Sequence, residues 1–223
     1  MTIFLLSGYK RSGKDTAAQY LIEHRGMERR AFADSLKDDV AKFLGISRSH
    51  MDDPDFKEKA IIEHPVNAFD PFSKMNNQFL AKEFRTSDGQ QPIDVEWLND
   101  SLFAVECDGM YTERKKLYWT PRAACIFIGS VGRTFNSDHW VDKALPPTTT
   151  GHIVVSDFRY KSEYSRVVDS FGAYNVKTVR IDRFDSVNST DPSETNLDDF
   201  EFDIRINNKG SLEEFYNKLK GIY

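Results

Sequence analysis

The sequence predicts an α/β protein built on a doubly wound parallel sheet of five strands. Short apolar runs typical of buried parallel strands recur along the chain, and helical patterns with apolar residues three and four apart separate them. The chain has 223 residues, of which 39% are hydrophobic, so it is long enough to bury a continuous core. A glycine-rich bend follows the first apolar run, at the edge of the sheet where open α/β proteins bind ligands.

Five apolar runs are predicted as the strands of this sheet. In chain order they are Ile3–Leu6, approximately residues 30–33, Ile153–Ser156, Val176–Ile181 and Ile204–Ile206. Because helical segments alternate with these runs, neighbouring strands are expected to be parallel and joined by crossover connections.

Four amphipathic segments are predicted as helices, and their ends carry the usual signals. They are Thr16–Arg25, Ser35–Leu44, Ser162–Gly172 and the C-terminal segment that begins at Ser211. Ser162 is expected to cap the third helix, which ends on a glycine. Ser211 is expected to cap the last helix, with Glu214 three residues further on completing a capping box.

A single domain covering residues 1–223 is expected, with two segments that interrupt the sheet pattern. Residues from about 46 to 119 are highly charged and rich in turn signals, so they are predicted to form an insertion after the second strand. Short helices and a hairpin turning at Asp108-Gly109 are expected there. Residues from about 183 to 201 are polar and acidic, which is typical of a loop that covers a site as a lid.

Composition argues against several classes of partner. The formal net charge is −5, from 30 basic and 35 acidic side chains, whereas proteins that grip nucleic acid need clustered cations. No apolar run reaches the length of a membrane span, and Cys107 and Cys125 show no metal-ligand or CxxC spacing. We therefore expect a cytoplasmic protein that acts on small molecules and binds neither nucleic acid nor membranes. A homodimer is one assembly state that the sequence leaves open.

The bend after the first strand has the pattern of a phosphate-binding loop. Residues 8–14, “GYKRSGK”, fit G-x-x-x-x-G-K and lie between a strand and a helix, as that motif must. Gly8 and Gly13 let the backbone curl with its N–H groups inward, and the start of the helix adds unpaired N–H donors. Lys14 supplies a positive charge for the outer phosphates. The fold is therefore expected to be of the P-loop NTPase type.

One position departs from that motif. Asp15 follows the lysine, where a serine or threonine usually holds Mg²⁺, and Thr16 comes next. Asp15 either holds the water shell of the metal, with Thr16 sharing the task, or is an acidic residue favoured by the positive end of the helix. The sequence leaves both interpretations open.

These residues and four later segments resemble phage-type deoxynucleoside monophosphate kinases, members of the P-loop nucleotide kinase superfamily. The segments are “LSGYKRSGKDTAA” (6–18), “FADSLKDDVAKFLG” (32–45), “TPRAACIFIGSVGRTFNSDHWV” (120–141), “VVSDFRYKSEYSRV” (154–167) and “INNKGSLEEFYNKL” (206–219). They cover most of the predicted sheet core, whereas residues 47–117 match only loosely. The resemblance implies Mg²⁺-dependent transfer of the ATP γ-phosphoryl group to a deoxynucleoside 5′-monophosphate, in the host cytoplasm if the protein is phage-encoded.

The resemblance also implies the residues of both sites. Those of the ATP site are Gly8, Lys10, Arg11, Ser12, Gly13, Lys14, Asp15, Thr16 and Arg183, with backbone contacts to adenine from residues 207–210. Those of the acceptor site are Lys37, Arg122, Arg133, Trp140, Asp157 and Arg159. Lys14, Arg122, Asp157 and Arg159 are the implied catalytic residues. Converging cations suit the reaction, because phosphoryl transfer depends on in-line positioning and on stabilising the spreading charge.

Several of these residues have a structural alternative. Asp157 ends a strand, where it could orient a Mg²⁺-bound water, contact the acceptor or only cap the following turn. Trp140 either stacks on a base or packs in the core. An arginine or lysine taken alone is usually a solvated surface residue.

Other classes of protein compete with this interpretation. Phosphomevalonate kinases of the animal type also carry a K-x-S-G-K-D loop, so only the T-P-R and D-x-R segments favour a nucleotide acceptor. A GTPase should show D-x-x-G after the third strand and N-K-x-D, whereas this chain has “DFRY” and “NNKG”. A nucleotide-binding protein without transfer chemistry stays open, because Asp15 replaces the metal-binding hydroxyl.

Overall fold

The computed structural model describes residues 1–59, 62–63, 118–183 and 195–222. The strands are β1 (Thr2–Ser7), β2 (Glu28–Arg30), β3 (Ile62–Glu63), β4 (Tyr118–Trp119), β5 (His152–Val155), β6 (Val176–Asp182) and β7 (Ile204–Asn207). The helices are α1 (Lys14–Arg25), α2 (Phe32–Leu44), α3 (Arg48–Asp52), α4 (Pro121–Phe135), α5 (His139–Ala144), α6 (Lys161–Phe171) and α7 (Leu212–Lys220). Two short 3₁₀ turns cover Phe56–Glu58 and Ala173–Asn175.

The chain divides into two compact units. The first consists of residues Met1–Ser35 and Asn136–Tyr223, and the second of Leu36–Phe135. The sheet, with α1 and α5–α7, belongs to the first unit. None of the helices within the described ranges is long and apolar enough to cross a membrane.

Five parallel strands form the sheet of the first unit, in the order β2-β5-β1-β6-β7. This confirms the predicted α/β class and strand number. Because β1 is central and all strands run the same way, the loops after β1, β5, β6 and β7 leave the sheet at one edge. Ser7 at the end of β1 pairs in register with Arg180 of β6.

Alternate residues of β1 face two separate cores, as the two-residue period of a strand requires. Phe4 and Leu6 pack in the cluster that α1 and α7 cover. Ile3 and Leu5 pack in the cluster that contains residues of α5 and α6. Helices therefore lie on both faces of the sheet, which is the doubly wound arrangement.

The predicted strand at residues 30–33 is wrong at its C-terminal end. Strand β2 ends at Arg30, and Phe32 already begins α2. The physical reason is a tertiary cap: the Asp157 carboxylate accepts hydrogen bonds from the backbone N–H groups of Phe32 and Ala33. An acid 125 residues away from Phe32 thus starts the helix.

The predicted cap of α6 is also misplaced. Tyr160, not Ser162, occupies the N-cap position, and its backbone N–H donates to the Glu163 carboxylate at 3.0 Å. Ser162 is an exposed residue of the first helical turn. The Glu163 N–H donates to the Tyr160 carbonyl oxygen at 3.0 Å, so the first turn of the helix already begins before Ser162.

The second unit contains most of the predicted insertion. Its described parts hold α3, a 3₁₀ turn, the antiparallel pair β3–β4 and α4. The hairpin predicted at Asp108-Gly109 lies outside the described residues, as do residues 184–194 of the predicted lid.

The capping box of α7 is confirmed and provides a stability test. The Glu214 backbone N–H donates to Ser211 Oγ at 3.2 Å, and the Ser211 N–H donates to Glu214 Oε2 at 3.1 Å. We expect Ser211→Ala to lower the free energy of unfolding by about 1 kcal/mol in denaturant titrations. Ser162→Ala is the matched control and should change it by less than about 0.5 kcal/mol. Equal losses in both variants would contradict the assignment of the caps.

Candidate functional site

The loop predicted to bind phosphate, residues 8–13 and here called the phosphate loop, joins β1 to α1 and depends on two glycines. Gly8 has φ 147° and Gly13 has φ 108°, conformations that side chains rarely allow. A Cβ on Gly8 would lie 2.5 Å from the Ile181 carbonyl oxygen, and one on Gly13 would lie 2.5 Å from the Asn208 side-chain nitrogen. The Ile181 backbone therefore leaves no room for a Cβ at Gly8, whereas at Gly13 the positive φ itself disfavours a larger residue.

The loop offers polar groups that suit an anion. Gly13 occupies the N-cap position of α1, so no side chain there accepts from the N–H groups of the first turn. Ser12 is fully buried, and its Oγ has no hydrogen-bond partner within the described part of the chain. A phosphate group would satisfy these donors, and the positive end of the helix dipole would attract it.

Lys14 begins α1 and folds back over the loop. Its Nζ donates to the carbonyl oxygens of Gly8 at 2.5 Å and Tyr9 at 2.9 Å. An ammonium group carries three donors, and two of those of Lys14 hold the backbone of the loop. The positive charge of Lys14 is therefore located at the loop.

Two later residues contact the same loop. Arg183, directly after β6, donates from Nη1 to the Arg11 carbonyl oxygen at 3.5 Å. Asn208, directly after β7, donates from Nδ2 to the Ser12 carbonyl oxygen at 2.7 Å. The side chain of Asn208 was not assigned from the sequence, because only the fold brings the end of β7 against Gly13.

The remaining residues predicted for the ATP site lie on the loop or the first turn of α1. Lys10, Arg11 and Asp15 are exposed, and Thr16 is half-buried. Among the described residues, no group of three or more His, Cys, Asp or Glu side chains could hold a metal. Mg²⁺ bound to a nucleotide needs fewer protein ligands, since it keeps several waters and takes phosphate oxygens. The choice between Asp15 and Thr16 stays a prediction.

A cavity of about 450 Å³ lies in the first unit beside the phosphate loop. It is lined by Tyr9, Arg180, Asp182, Asp198, Arg205, Asn207 and Lys209. These residues come from the loop, from β6 and β7, and from the segments that flank β7. The volume is in the range of small-molecule sites, and the lining is polar and charged.

Asp157 supports a helix, which bears on its predicted catalytic role. Its Oδ1 accepts from the Phe32 N–H at 2.8 Å and its Oδ2 from the Ala33 N–H at 2.9 Å. Burial raises the pKa of Asp157, and these two N–H groups and Arg159 oppose the increase. Each of the two carboxylate oxygens thus accepts a hydrogen bond from the start of α2. The sequence left open that Asp157 caps the turn directly after it. In the structure Asp157 caps α2 instead, which lies far earlier in the chain.

Glu163 fixes the backbone of the segment that carries Arg159. Its Oε2 accepts from the N–H groups of Arg159 at 2.8 Å and Tyr160 at 3.0 Å. Burial raises the pKa of Glu163 to about 8, and the Arg159 N–H opposes this increase. No role was assigned to Glu163 from the sequence, although its position in “DFRYKSE” was the available signal.

Three of the predicted acceptor-site cations belong to the second unit. Lys37 donates from Nζ to Asp52 at 2.8 Å, Arg122 lies in the first turn of α4, and Arg133 is exposed near its end. Burial raises the pKa of Cys125 to about 11, and the charges of Lys37 and Arg122 oppose this increase. The charges of Lys37 and Arg122 therefore both affect the pKa of Cys125, which lies in the same unit.

Trp140 lies on α5 of the first unit and is 7% exposed. The His139 ring contacts it edge-on at 4.6 Å between centroids, and Lys143 Nζ is 5.4 Å from its ring centroid. Such a covered ring agrees with the packing alternative that the sequence left open. Stacking of Trp140 on a base stays a prediction.

The chain is similar to two phage proteins along its full length. The deoxynucleotide monophosphate kinase of Enterobacteria phage T4 is 24% identical over 254 residues, covering 99% of this chain and 98% of that protein. The protein of the same name from Escherichia phage RB69 is 23% identical over 265 residues, covering 100% and 99%. No protein-family model matches the chain.

The raised pKa of Glu163 predicts a dependence of stability on pH. A carboxyl group with a higher pKa in the folded state gains a proton on folding, so its contribution falls as pH rises from about 4.5 to about 8. Glu163→Gln keeps an oxygen acceptor for both N–H groups but does not titrate. We therefore expect the melting temperature of Glu163→Gln, relative to that of the wild type, to increase as pH rises from about 4.5 to about 8.

Glu213→Gln, at an exposed position of α7, is the control and should follow the wild type at every pH. If the Glu163→Gln and wild-type melting temperatures ran parallel across the range, the raised pKa would be refuted.

Proposed function

We propose that this protein is a deoxynucleoside monophosphate kinase, which transfers the γ-phosphoryl group of ATP to a deoxynucleoside 5′-monophosphate. One observation carries the proposal: the loop after β1, whose buried Ser12 Oγ has no hydrogen-bond partner among the described residues, opens a chain that matches two phage kinases over its full length. The loop supports binding of a phosphate chain, and the names of the relatives support the reaction.

The ATP site of the proposed enzyme is built from the loop and the adjoining cavity. Backbone N–H groups of the loop and of the first turn of α1 would surround the phosphates, and Lys14 would lie against their outer oxygens. The cavity beside Tyr9 offers space for the base and ribose next to Asn207 and Lys209. Arg183 would add charge, since it already contacts the loop at Arg11.

Mg²⁺, when bound, would neutralise charge on the β- and γ-phosphates and help to orient them. Asp15 and Thr16 are the residues that would hold its water shell, because they occupy the first turn of α1 beside the phosphate-binding N–H groups. The hydroxyl that usually follows the motif lysine is displaced here by one position, to Thr16.

We propose Arg159 of the first unit as a cation that holds the acceptor phosphate. Lys37, Arg122 and Arg133, which lie in the second unit, stay predictions from the resemblance. The reaction requires cations rather than a protein nucleophile, because the phosphate of the acceptor is itself the attacking group. Glu163 contributes by fixing the backbone of Arg159. Asp157 would act mainly through the helix that it caps, which carries Lys37.

Two alternatives are separated from this proposal by substrate. A kinase for another phosphorylated small molecule, such as phosphomevalonate, would use the same loop with a different acceptor. A nucleotide-binding protein without transfer chemistry would bind ATP and form no product. The names of the two phage relatives favour a nucleotide acceptor over phosphomevalonate, and experiment decides whether transfer takes place.

Substrate profiling tests the proposal. The protein is incubated with ATP, Mg²⁺ and each of the four deoxynucleoside monophosphates, with ribonucleoside monophosphates and phosphomevalonate in parallel, and products are separated by chromatography. We expect a deoxynucleoside diphosphate from at least one acceptor, with turnover on the order of 1–100 per second. Phosphorylation of phosphomevalonate alone, or a thermal shift with ATP and no product, would overturn the proposal.

Lys14→Ala should reduce the turnover number by about 10²–10³-fold, because it removes a fixed charge that stabilises the transferring phosphoryl group. Steady-state kinetics with saturating ATP measure this change. Lys177→Ala removes an exposed lysine from the opposite end of β6 and should leave turnover unchanged. Near-normal turnover in Lys14→Ala would remove the residue from the mechanism.

A further inference from the structure

A buried arginine lies beside the phosphate loop. Arg180 of β6 is 4% exposed and is the register partner of Ser7, the last residue of β1. Arginine is rarely buried unless its charge is paired and its donors are used, because desolvating a guanidinium is costly. The groups around Arg180 therefore indicate what it holds together.

Three elements meet at the Arg180 guanidinium. Nη1 donates to Ser7 Oγ at 3.2 Å, at the point where the phosphate loop begins. Nη2 donates to Asp198 Oδ1 at 3.2 Å, in the segment that leads to β7. Nε is 3.4 Å from Asp182 Oδ1 on the same strand, and Asp182 also pairs with Arg205 at 3.3 Å.

The side chain of Tyr9 contacts both Arg180 and Asp198. Its ring centroid lies 4.6 Å from Arg180 Cζ, within the range of a cation–π contact. Its hydroxyl donates to Asp198 Oδ1 at 2.8 Å, so one carboxylate oxygen receives both the tyrosine and the arginine. Burial raises the pKa of Tyr9, and Asp198 adds to the increase, so the phenol stays protonated as a donor.

The backbone of Tyr9 in turn shapes the phosphate loop. Its carbonyl oxygen accepts from the Ser12 N–H at 3.1 Å and from Lys14 Nζ at 2.9 Å. Movement of Tyr9 would therefore shift the group that orients Lys14 and the turn that precedes Gly13. The face and the hydroxyl of the Tyr9 ring are both fixed, and the loop is fixed with them.

We propose that Tyr9, Arg180 and Asp198, here called the Tyr9 anchor, are positioning residues that hold the phosphate loop ready for its ligand. Asp198 is the decisive member, because it bonds both of the others and lies outside the loop and β6. When Asp198 is replaced, Arg180 keeps an ion pair with Asp182 only, and that carboxylate also pairs with Arg205. The link to ATP rests on the proposed function, whereas the effect on the loop itself does not.

Asp198→Asn and Tyr9→Phe test the anchor, with Asp199→Asn as the matched control. Asp199 neighbours Asp198 but pairs with Lys161 at 2.6 Å on the surface. Tyr9→Phe removes a single hydroxyl and leaves the buried charges in place, so it remains informative if Asp198→Asn folds poorly. Amide hydrogen exchange of the protein without nucleotide, followed by mass spectrometry of peptides covering residues 8–13, reports the loop directly.

We expect loop exchange to be about tenfold faster in Asp198→Asn and about threefold faster in Tyr9→Phe, with Asp199→Asn equal to the wild type. In kinetics, the KM for ATP should rise about tenfold in Asp198→Asn while the KM for the acceptor changes less than about twofold. Faster exchange throughout the first unit would indicate a general loss of stability and would contradict a positioning role.

The exchange experiment does not depend on enzyme activity. If the wild type phosphorylates none of the tested acceptors, the proposed function is wrong, but the Tyr9 anchor can still be confirmed by exchange. Conversely, an active enzyme in which Asp198→Asn raises the KM for ATP but leaves loop exchange unchanged would overturn the anchor. That outcome would mean that Asp198 touches the nucleotide itself.

Discussion

The conformation of the phosphate loop is the constraint on which the rest of the first unit depends. The chain must leave β1 and enter α1 within residues 8–13, and it does so with positive φ at Gly8, Arg11 and Gly13. A Cβ at Gly8 would collide with the Ile181 backbone of β6, and one at Gly13 would meet the Asn208 side chain, which follows β7. The order of the sheet, with β6 beside β1 and β7 beyond it, is what delivers those contacts.

Buried polar groups at the same edge of the sheet serve mainly to hold backbone in place. Asp157 holds the start of α2, Glu163 holds the segment of Arg159, and Arg180 links the end of β1 to the segment before β7. A buried carboxyl or guanidinium is tolerated only where hydrogen bonds or opposite charges compensate for its lost hydration. Groups with perturbed pKa values are therefore not automatically catalytic in this protein, and Asp157 and Glu163 illustrate the structural use.

This arrangement suits a reaction that needs positioning more than covalent chemistry. Phosphoryl transfer is accelerated by aligning two anionic groups and placing fixed positive charge around them. In the first unit, the loop, the N-terminus of α1 and Lys14 would supply that charge for the proposed reaction. The two phage kinases match the chain from end to end at 24% and 23% identity.

The sequence by itself determined the sheet class, four of the five strands closely, the glycine-dependent loop between β1 and α1, and the capping box of α7. These features depend on local periodicity and on residues adjacent in the chain. Tertiary structure decided the start of α2, where Asp157 supplies a cap from a distant strand, and the contacts of Asn208 and Arg180 with the loop. These features could not be predicted, since a side chain's partner across parallel strands is set by sheet order and register, which leave no mark in local spacing. Asp157 therefore caps a helix that its position in the sequence did not indicate, and its catalytic role stays a prediction. Gly8 and Gly13 lie at the two ends of the loop, as the motif predicts.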